Sequence, residues 1–139
     1  MIRHGFVRRL VGLALGAAFG AILCVVVLPV GLNLSGYGNP QALGYYLKPY
    51  IIHAALVMGL GGWWLARSKR TVVAAQIFSL TTMLTSAGLA KVSLQASPRL
   101  LVVASLAGVI YGLCGGLIMA RFLTAPSVAH EETDQSAGD

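Results

Sequence analysis

The sequence predicts an all-α integral membrane protein, a four-helix bundle with both termini on the cytoplasmic side. Three observations support this prediction: the apolar composition, four long apolar runs, and the unequal distribution of Lys and Arg between the connecting segments. Of the 139 residues, 57% are hydrophobic and 10% are charged, whereas about a quarter of the residues of a soluble domain are charged. A soluble fold of this size would lack the polar residues needed to cover its surface.

Each of the four apolar runs is long enough to cross a bilayer. A helix rises about 1.5 Å per residue and the hydrocarbon core is about 30 Å thick, so about 17 to 25 apolar residues span it. The first run is too long for the apolar core of a signal peptide, which has about 7 to 15 residues. The predicted helices are about 10–32, 50–66, 71–90 and 100–122, the second being only just long enough, and they form one domain of residues 1–123.

Basic residues in the short connections predict the orientation. With a cytoplasmic N-terminus, seven Lys and Arg residues lie inside and three lie outside, which is the arrangement that the positive-inside rule favours. Tyr50 would then lie at the outer end of the second helix, and Trp63 and Trp64 would lie at its inner end, as aromatic anchors do. The inside residues are Arg3, Arg8, Arg9, Arg67, Lys69, Arg70 and Arg121, and the outside residues are Lys48, Lys91 and Arg99.

Two segments lie outside the predicted helices. Residues 33–49 are interpreted as an outer loop, because two glycines and Pro40 mark turns there. From Thr124 the hydrophobic periodicity ends, and all four acidic residues of the protein follow. We therefore expect 124–139 to be a disordered acidic cytoplasmic tail, with a partner-docking peptide as the alternative.

Glycine recurs at every fourth position in the first helix, "GLALGAAFGA", and in the fourth helix, "GVIYGLCGG". Lipid provides little hydrophobic drive for helix association, so close backbone approach across small residues supplies the packing energy instead. Both rows fall in the cytoplasmic half of the bilayer, and we expect them to face each other. A contact between copies or with a partner subunit, and a coincidence of the Ala/Gly-rich composition, remain alternatives. The expected pairs of helix-packing residues are Gly12 with Gly116, Gly16 with Gly112, and Gly20 with Gly108.

The third helix carries a polar row, and the second carries a histidine. The polar row is interpreted as interhelical hydrogen-bond donors, each contributing about 1 kcal/mol or less. The alternative is a path for a small polar solute, shared between subunits. An ionisable group inside the membrane is a functional candidate, although a neutral histidine that bonds water or a hydroxyl is the simpler interpretation. The residues of the possible polar path are His53, Gln76, Ser79, Thr82 and Ser86.

The sequence does not indicate catalytic or metal-binding chemistry. No Asp or Glu precedes Glu131, so the helices hold no carboxylate for acid–base catalysis, proton coupling or hard cations. Cys24 and Cys114 differ in depth by about 14 Å by helix rise, whereas the Cα atoms of a disulfide lie within about 7 Å. Haem ligation by His53 would need a second copy or a partner. We expect no enzyme activity, no cofactor, no metal and no nucleic-acid partner.

These features predict a non-enzymatic multi-pass membrane protein, an accessory or scaffold subunit of a membrane complex that packs through its glycine-rich helix faces. A small-solute channel or facilitator acting as a homo-oligomer is the alternative. The expected partners are the lipid bilayer and either further copies of the chain or a larger membrane protein. The rich use of Ala, Gly and Leu and the compact Lys/Arg bias suggest a bacterial inner membrane.

Overall fold

The computed structural model describes the backbone of residues 2–136 and the side chains of residues 3–123. Every regular element in this part of the chain is a helix. The first three stretches are α1 (Ile2–Ile22), a π-helical turn (Leu23–Val27) and α2 (Leu28–Leu34), which follow one another without a break. The remaining elements are α3 (Pro40–Leu47), a 3₁₀ turn (Lys48–Tyr50), α4 (Ile51–Leu65), α5 (Thr71–Leu94) and α6 (Pro98–Ser136).

Three helices in the described part of the chain are long and apolar enough to cross a membrane: Arg3–Leu34, Thr71–Leu94 and Pro98–Leu123. The prediction of an all-helical protein with membrane-compatible helices is therefore confirmed. The predicted second span, 50–66, corresponds to α4, which has 15 residues. At about 1.5 Å per residue α4 alone is about 22 Å long, which is shorter than the hydrocarbon core.

The π-helical turn between α1 and α2 has a local cause in the sequence. Pro29 is the second residue of α2, and a proline inside a helix removes one backbone hydrogen bond and crowds the carbonyl four residues earlier, here that of Val25. A wider turn over the preceding residues relieves this conflict without ending the helix. The turn also brings the thiol of buried Cys24 to 3.0 Å from the carbonyl oxygen of Leu47, to which it donates a hydrogen bond.

The interpretation of residues 33–49 as a loop is wrong for half of the segment, because α3 forms there. The turn itself is real, since Gly36 and Gly38 have φ values of 85° and 115°, which glycine adopts without steric cost. Helix α3 then begins at Pro40, and the Asn39 side chain caps it by accepting a hydrogen bond from the Gln41 amide at 3.0 Å. Asn followed by Pro is an N-cap and first-turn pattern, and it is the sequence signal for this helix.

The helices pack as two antiparallel pairs, α1 with α4 and α5 with α6. An aromatic cluster joins the pairs: the ring of Phe19 on α1 lies 6.1 Å from that of Phe78 on α5 and 5.8 Å from that of Tyr111 on α6, centroid to centroid. The Tyr111 hydroxyl also donates a hydrogen bond to the Phe19 carbonyl oxygen at 2.8 Å. Phe78 is fully buried, so this cluster forms the centre of the core.

Helix α6 is bounded by Pro98 and Ser136 and thus continues past Phe122, the helix end predicted from the sequence. The segment for which a disordered acidic tail is predicted, 124–139, lies outside the residues whose side chains the structure describes. That part of the prediction stays a prediction.

Candidate functional site

The first glycine row lies in the contact between α1 and α4, which we call the α1–α4 seam. A Cβ atom built on Gly12 would lie 2.5 Å from the carbonyl oxygen of Gly62, and one built on Gly20 would lie 2.6 Å from that of Ala54. A Cβ atom built on Gly16 would lie closer still to the carbonyl oxygen of Met58. Real Cβ atoms are essentially never this close to backbone atoms, so all three positions require glycine for the two backbones to meet.

The second glycine row lies between α6 and α5, in what we call the α5–α6 seam. A Cβ atom on Gly112 would lie 2.5 Å from the Cα of Ser79, and one on Gly116 would lie 2.8 Å from the Cα of Ala75. The row continues at Gly108, where a Cβ atom would lie 2.9 Å from the carbonyl oxygen of Thr82 and would overlap the hydroxyl of Ser86.

The expected pairing of the two glycine rows with each other is therefore wrong. Each row packs against a different helix, because α4 and α5 offer small faces of their own. The α4 face could be predicted from the spacing of its small residues. The α5 face is less evident in the sequence, because it combines alanine with serine and threonine. The α4 face consists of Ala54, Gly59, Gly62 and Ala66, and the α5 face consists of Ala75, Ser79, Thr82 and Ser86. Both glycine rows are thus covered within one chain.

Three residues of the predicted polar row lie buried in the α5–α6 seam. Ser79 donates a hydrogen bond to the carbonyl oxygen of Val109 at 3.1 Å, and Ser86 donates one to that of Ala104 at 2.8 Å. The Thr82 hydroxyl instead bonds the Phe78 carbonyl oxygen of its own helix at 2.7 Å. The geometry of Ser79 and Ser86 is that of interhelical hydrogen bonding, and the seam around them is closed by backbone contacts.

The other two residues of the predicted path lie elsewhere. Gln76 is exposed on the outer face of α5, in the same helical row as exposed Leu80 and Leu84. His53 is exposed on α4. The structure thus does not bring the five residues together into one path within a chain.

His53 instead lines a lateral groove of about 380 Å³ between α4 and α5. Gly88 borders open space in this groove, since a Cβ atom built there would meet no atom of a neighbouring element within 4 Å. The hydroxyl of Thr85 donates a hydrogen bond to the Thr81 carbonyl oxygen of its own helix at 2.8 Å. The groove contains two titratable side chains, His53 and Tyr50, and no carboxylate. Its lining consists of Tyr50, His53, Val57, Leu84, Thr85, Gly88, Leu89 and Val92.

A cluster of basic and aromatic side chains lies at the opposite end of α4. The Arg8 guanidinium donates a hydrogen bond to the carbonyl oxygen of Ser68 at 3.3 Å, and the Arg9 guanidinium lies 5.8 Å from the centre of the Trp63 ring. The ring of Phe6 packs edge-to-face on the same tryptophan at 6.1 Å. These contacts fasten the start of α1 to the turn between α4 and α5.

Beside that turn lies a cavity of about 290 Å³, which we call the turn cavity. Its lining consists of Trp64, Arg67, Ser68 and Ile77. The backbone carbonyl that Arg8 bonds thus belongs to a lining residue. The sequence predicts that Arg8, Arg9 and the basic residues around Ser68 lie at the same membrane surface, but the cavity beside Ser68 forms only when the turn is folded.

The described residues contain no group of three His, Cys, Asp or Glu side chains placed to hold a metal ion. Both cysteines are free, Cys24 being buried and Cys114 exposed. Comparisons with protein-family models, with curated proteins and with solved structures give no match. The function proposed below is therefore supported by the geometry of this chain alone.

Proposed function

We propose that this chain is a non-enzymatic multi-pass protein of a bacterial inner membrane and serves as an accessory or scaffold subunit of a larger membrane complex. In this proposal four helical segments cross the bilayer, α1 with α2, then α4, α5 and α6, and both termini are cytoplasmic. The observation that supports a partner subunit is the exposed amide of Gln76 on the apolar outer face of α5.

The crossing by α4 is supported by its position beside α1. The two helices run antiparallel from the contact of Gly12 with Gly62 to the contact of Gly20 with Ala54. The 3₁₀ turn before α4 adds about 6 Å to the about 22 Å of the helix itself, since a 3₁₀-helix rises about 2 Å per residue. The total of about 28 Å is close to the thickness of the hydrocarbon core.

The orientation is supported by the basic residues that lie together at one end. The hydrogen bond from Arg8 to Ser68 places the start of α1 beside the turn that carries Arg67, Lys69 and Arg70. A surface this rich in Lys and Arg is the cytoplasmic one under the positive-inside rule. The N-terminus therefore lies inside, and an even number of crossings returns the C-terminal end of α6 to the same side.

Gln76 supports a partner helix because of its surroundings. It lies about 7.5 Å along α5 from Thr71, by helix rise, in a row with Val72 and Leu80, which are 65% and 56% exposed. Its side chain makes no hydrogen bond to any described residue. An amide in hydrocarbon is stabilised by a hydrogen bond from a neighbouring helix, so we assign this face to a transmembrane helix of another subunit that carries a polar side chain.

In this proposal the glycine rows do not bind the partner, which is the role that the sequence predicts for them. They hold the chain's own helices together and leave the outer face of α5 for the partner. A channel or facilitator formed by several copies is the competing proposal, and the exposure of both His53 and Gln76 favours it over conduction through one chain. A solute path between several copies of the chain would be lined by side chains on the outer faces of the helices, as His53 and Gln76 are.

The test is the mass and composition of the particle that a tagged chain forms after gentle detergent extraction from its native membrane. We expect a larger membrane protein in stoichiometric amount, and we expect Gln76→Leu to remove it. Gln41→Leu is the matched control, because Gln41 is also exposed but lies in α3, outside the long apolar helices. Partner binding that survives Gln76→Leu would contradict the assignment of this face.

A homo-oligomer without another protein would contradict the accessory role and support the competing proposal. Flux of small polar solutes into liposomes, lowered by Gln76→Leu and unchanged by Gln41→Leu, would then establish it. A monomer without a partner and without flux would contradict both proposals.

A further inference from the structure

The end of the bundle at the α4–α5 turn carries positive charge that the described chain does not neutralise. Arg3, Arg8 and Arg9 lie in the first turns of α1, and Arg67, Lys69 and Arg70 lie in or beside the turn. No Asp or Glu precedes Glu131 in the sequence, so residues 3–123 provide no carboxylate for these six side chains. Their counter-charge must come from another group.

The Arg8 guanidinium has more N–H donors than the described residues have acceptors for it. A guanidinium has five N–H groups, and the described contact is a single hydrogen bond to the carbonyl oxygen of Ser68. The Nε atom of Arg8 is buried without an acceptor among the described residues. Arg67, one residue before Ser68, is exposed and lines the turn cavity. Arg8 thus bonds the backbone of Ser68 without lining the turn cavity, and Arg67 is the guanidinium group that lines it.

We propose that the turn cavity binds one anionic phospholipid, with its phosphate held by Arg67 and the start of an acyl chain against Trp64 and Ile77. Guanidinium groups bind phosphate oxygens through paired, charge-assisted hydrogen bonds. The cavity of about 290 Å³ combines this charge with an aromatic and an aliphatic wall, which matches the border between a headgroup and its acyl chains.

The position of the cavity relative to the membrane-compatible helices favours a lipid over a soluble anion as its ligand. Helix α5 begins at Thr71, directly after the turn, and it is long and apolar enough to span a membrane. Residues 66–70 therefore lie at the level of the lipid phosphates, and Trp63 and Trp64 lie where tryptophan is enriched, at the membrane interface. Basic pockets between helices at this level recognise anionic headgroups. The proposal needs no partner subunit, and its failure would leave the proposed function untouched.

The experiment is native mass spectrometry of the full-length chain, released from mixed bilayers of phosphatidylglycerol and phosphatidylcholine. We expect one phosphatidylglycerol to remain bound in preference to phosphatidylcholine. Arg67→Gln should weaken its retention about fivefold, the amount expected for one basic residue at an anionic headgroup. Arg99→Gln is the matched control, because it removes the same charge from an exposed position at the opposite end of the bundle.

Three outcomes would overturn the proposal. Equal loss of lipid in Arg67→Gln and Arg99→Gln would show attraction by net charge without a site. Equal retention of the two lipids would show that the phosphate charge is not recognised. Binding of phosphatidylglycerol only after removal of residues 124–139 would assign the basic end to the carboxylates of that segment. Since Arg67 is exposed, its variant tests the site without disturbing the packing of the helices.

Discussion

Gly16 and Met58 approach so closely that a methyl group on Gly16 would overlap the carbonyl oxygen of Met58. This contact lies at the middle of the α1–α4 seam, between the contacts of Gly12 and Gly20. The neighbour is rigid helix backbone, so no side-chain rotation can make room. The seam therefore depends on the absence of a side chain, and this dependence can be measured.

Gly16→Ala should lower the free energy of unfolding by about 1 to 3 kcal/mol, which is the usual cost of adding a methylene to a packed contact. The cause is the forced separation of α1 from α4. Unfolding in mixed detergent micelles, followed by loss of helical circular dichroism, measures the change. Gly112→Ala should have an effect of the same order at the α5–α6 seam, where a Cβ would lie 2.5 Å from the Cα of Ser79.

Gly88→Ala and Gly5→Ala are the matched controls for these variants. Both glycines are helical, and a Cβ atom at either position would meet nothing within 4 Å. Alanine is the better helix former by about 1 kcal/mol, so these variants should be neutral or stabilised. If all four substitutions changed the free energy of unfolding in the same direction, the close backbone contacts would not be the cause of the stability of the two seams.

The two serines of the α5–α6 seam should differ from the threonine between them. Ser86→Ala removes a hydrogen bond from α5 to the Ala104 carbonyl of α6, and it should cost about 0.6 kcal/mol and at most about 1.7 kcal/mol, the mean and the maximum found for interhelical bonds in membranes. Thr82→Val keeps the shape and removes a bond within α5 only, so its cost should be smaller. The same unfolding assay ranks the two variants, and a larger cost for Thr82→Val would contradict the assigned bonding.

Tyr111→Phe should separate the hydrogen bond of the aromatic cluster from its packing. The substitution removes the bond to the Phe19 carbonyl oxygen at 2.8 Å and keeps the ring, whose centroid lies 5.8 Å from that of Phe19. We expect a loss of about 1 kcal/mol, typical of one hydrogen bond. Tyr111→Ala should cost several-fold more, because it also empties the contact between the two helix pairs. Equal costs would mean that the ring contributes nothing.

The proposed topology predicts the labelling of single cysteines in intact cells. In a background with both native cysteines replaced by alanine, Ser35→Cys should react with an impermeant thiol reagent added from outside. Lys69 is also exposed in the structure, but Lys69→Cys should react only after the cells are permeabilised. The reverse pattern would invert the orientation, and labelling of both from one side would remove the crossing by α4.

The sequence already contains the features that depend on length and composition. Apolar runs of sufficient length predict the long helices, and the basic pairs predict which helix ends lie together, as the bond from Arg8 to Ser68 shows. The short helix α3 could also have been read from Asn39 and Pro40, but the glycines before it favoured a loop.

Only the tertiary structure decides which faces meet. A row of small residues permits close approach to any helix that is also small on one side, since dispersion is not directional. Gly16 therefore had several sterically acceptable neighbours, and Met58 and Gly59 became its contacts because α4 offers a matching face in the antiparallel register that the chain connections allow. Likewise, Gln76 and Ser79 lie three residues apart in one polar row, but the packing of α6 buries Ser79 and leaves Gln76 exposed.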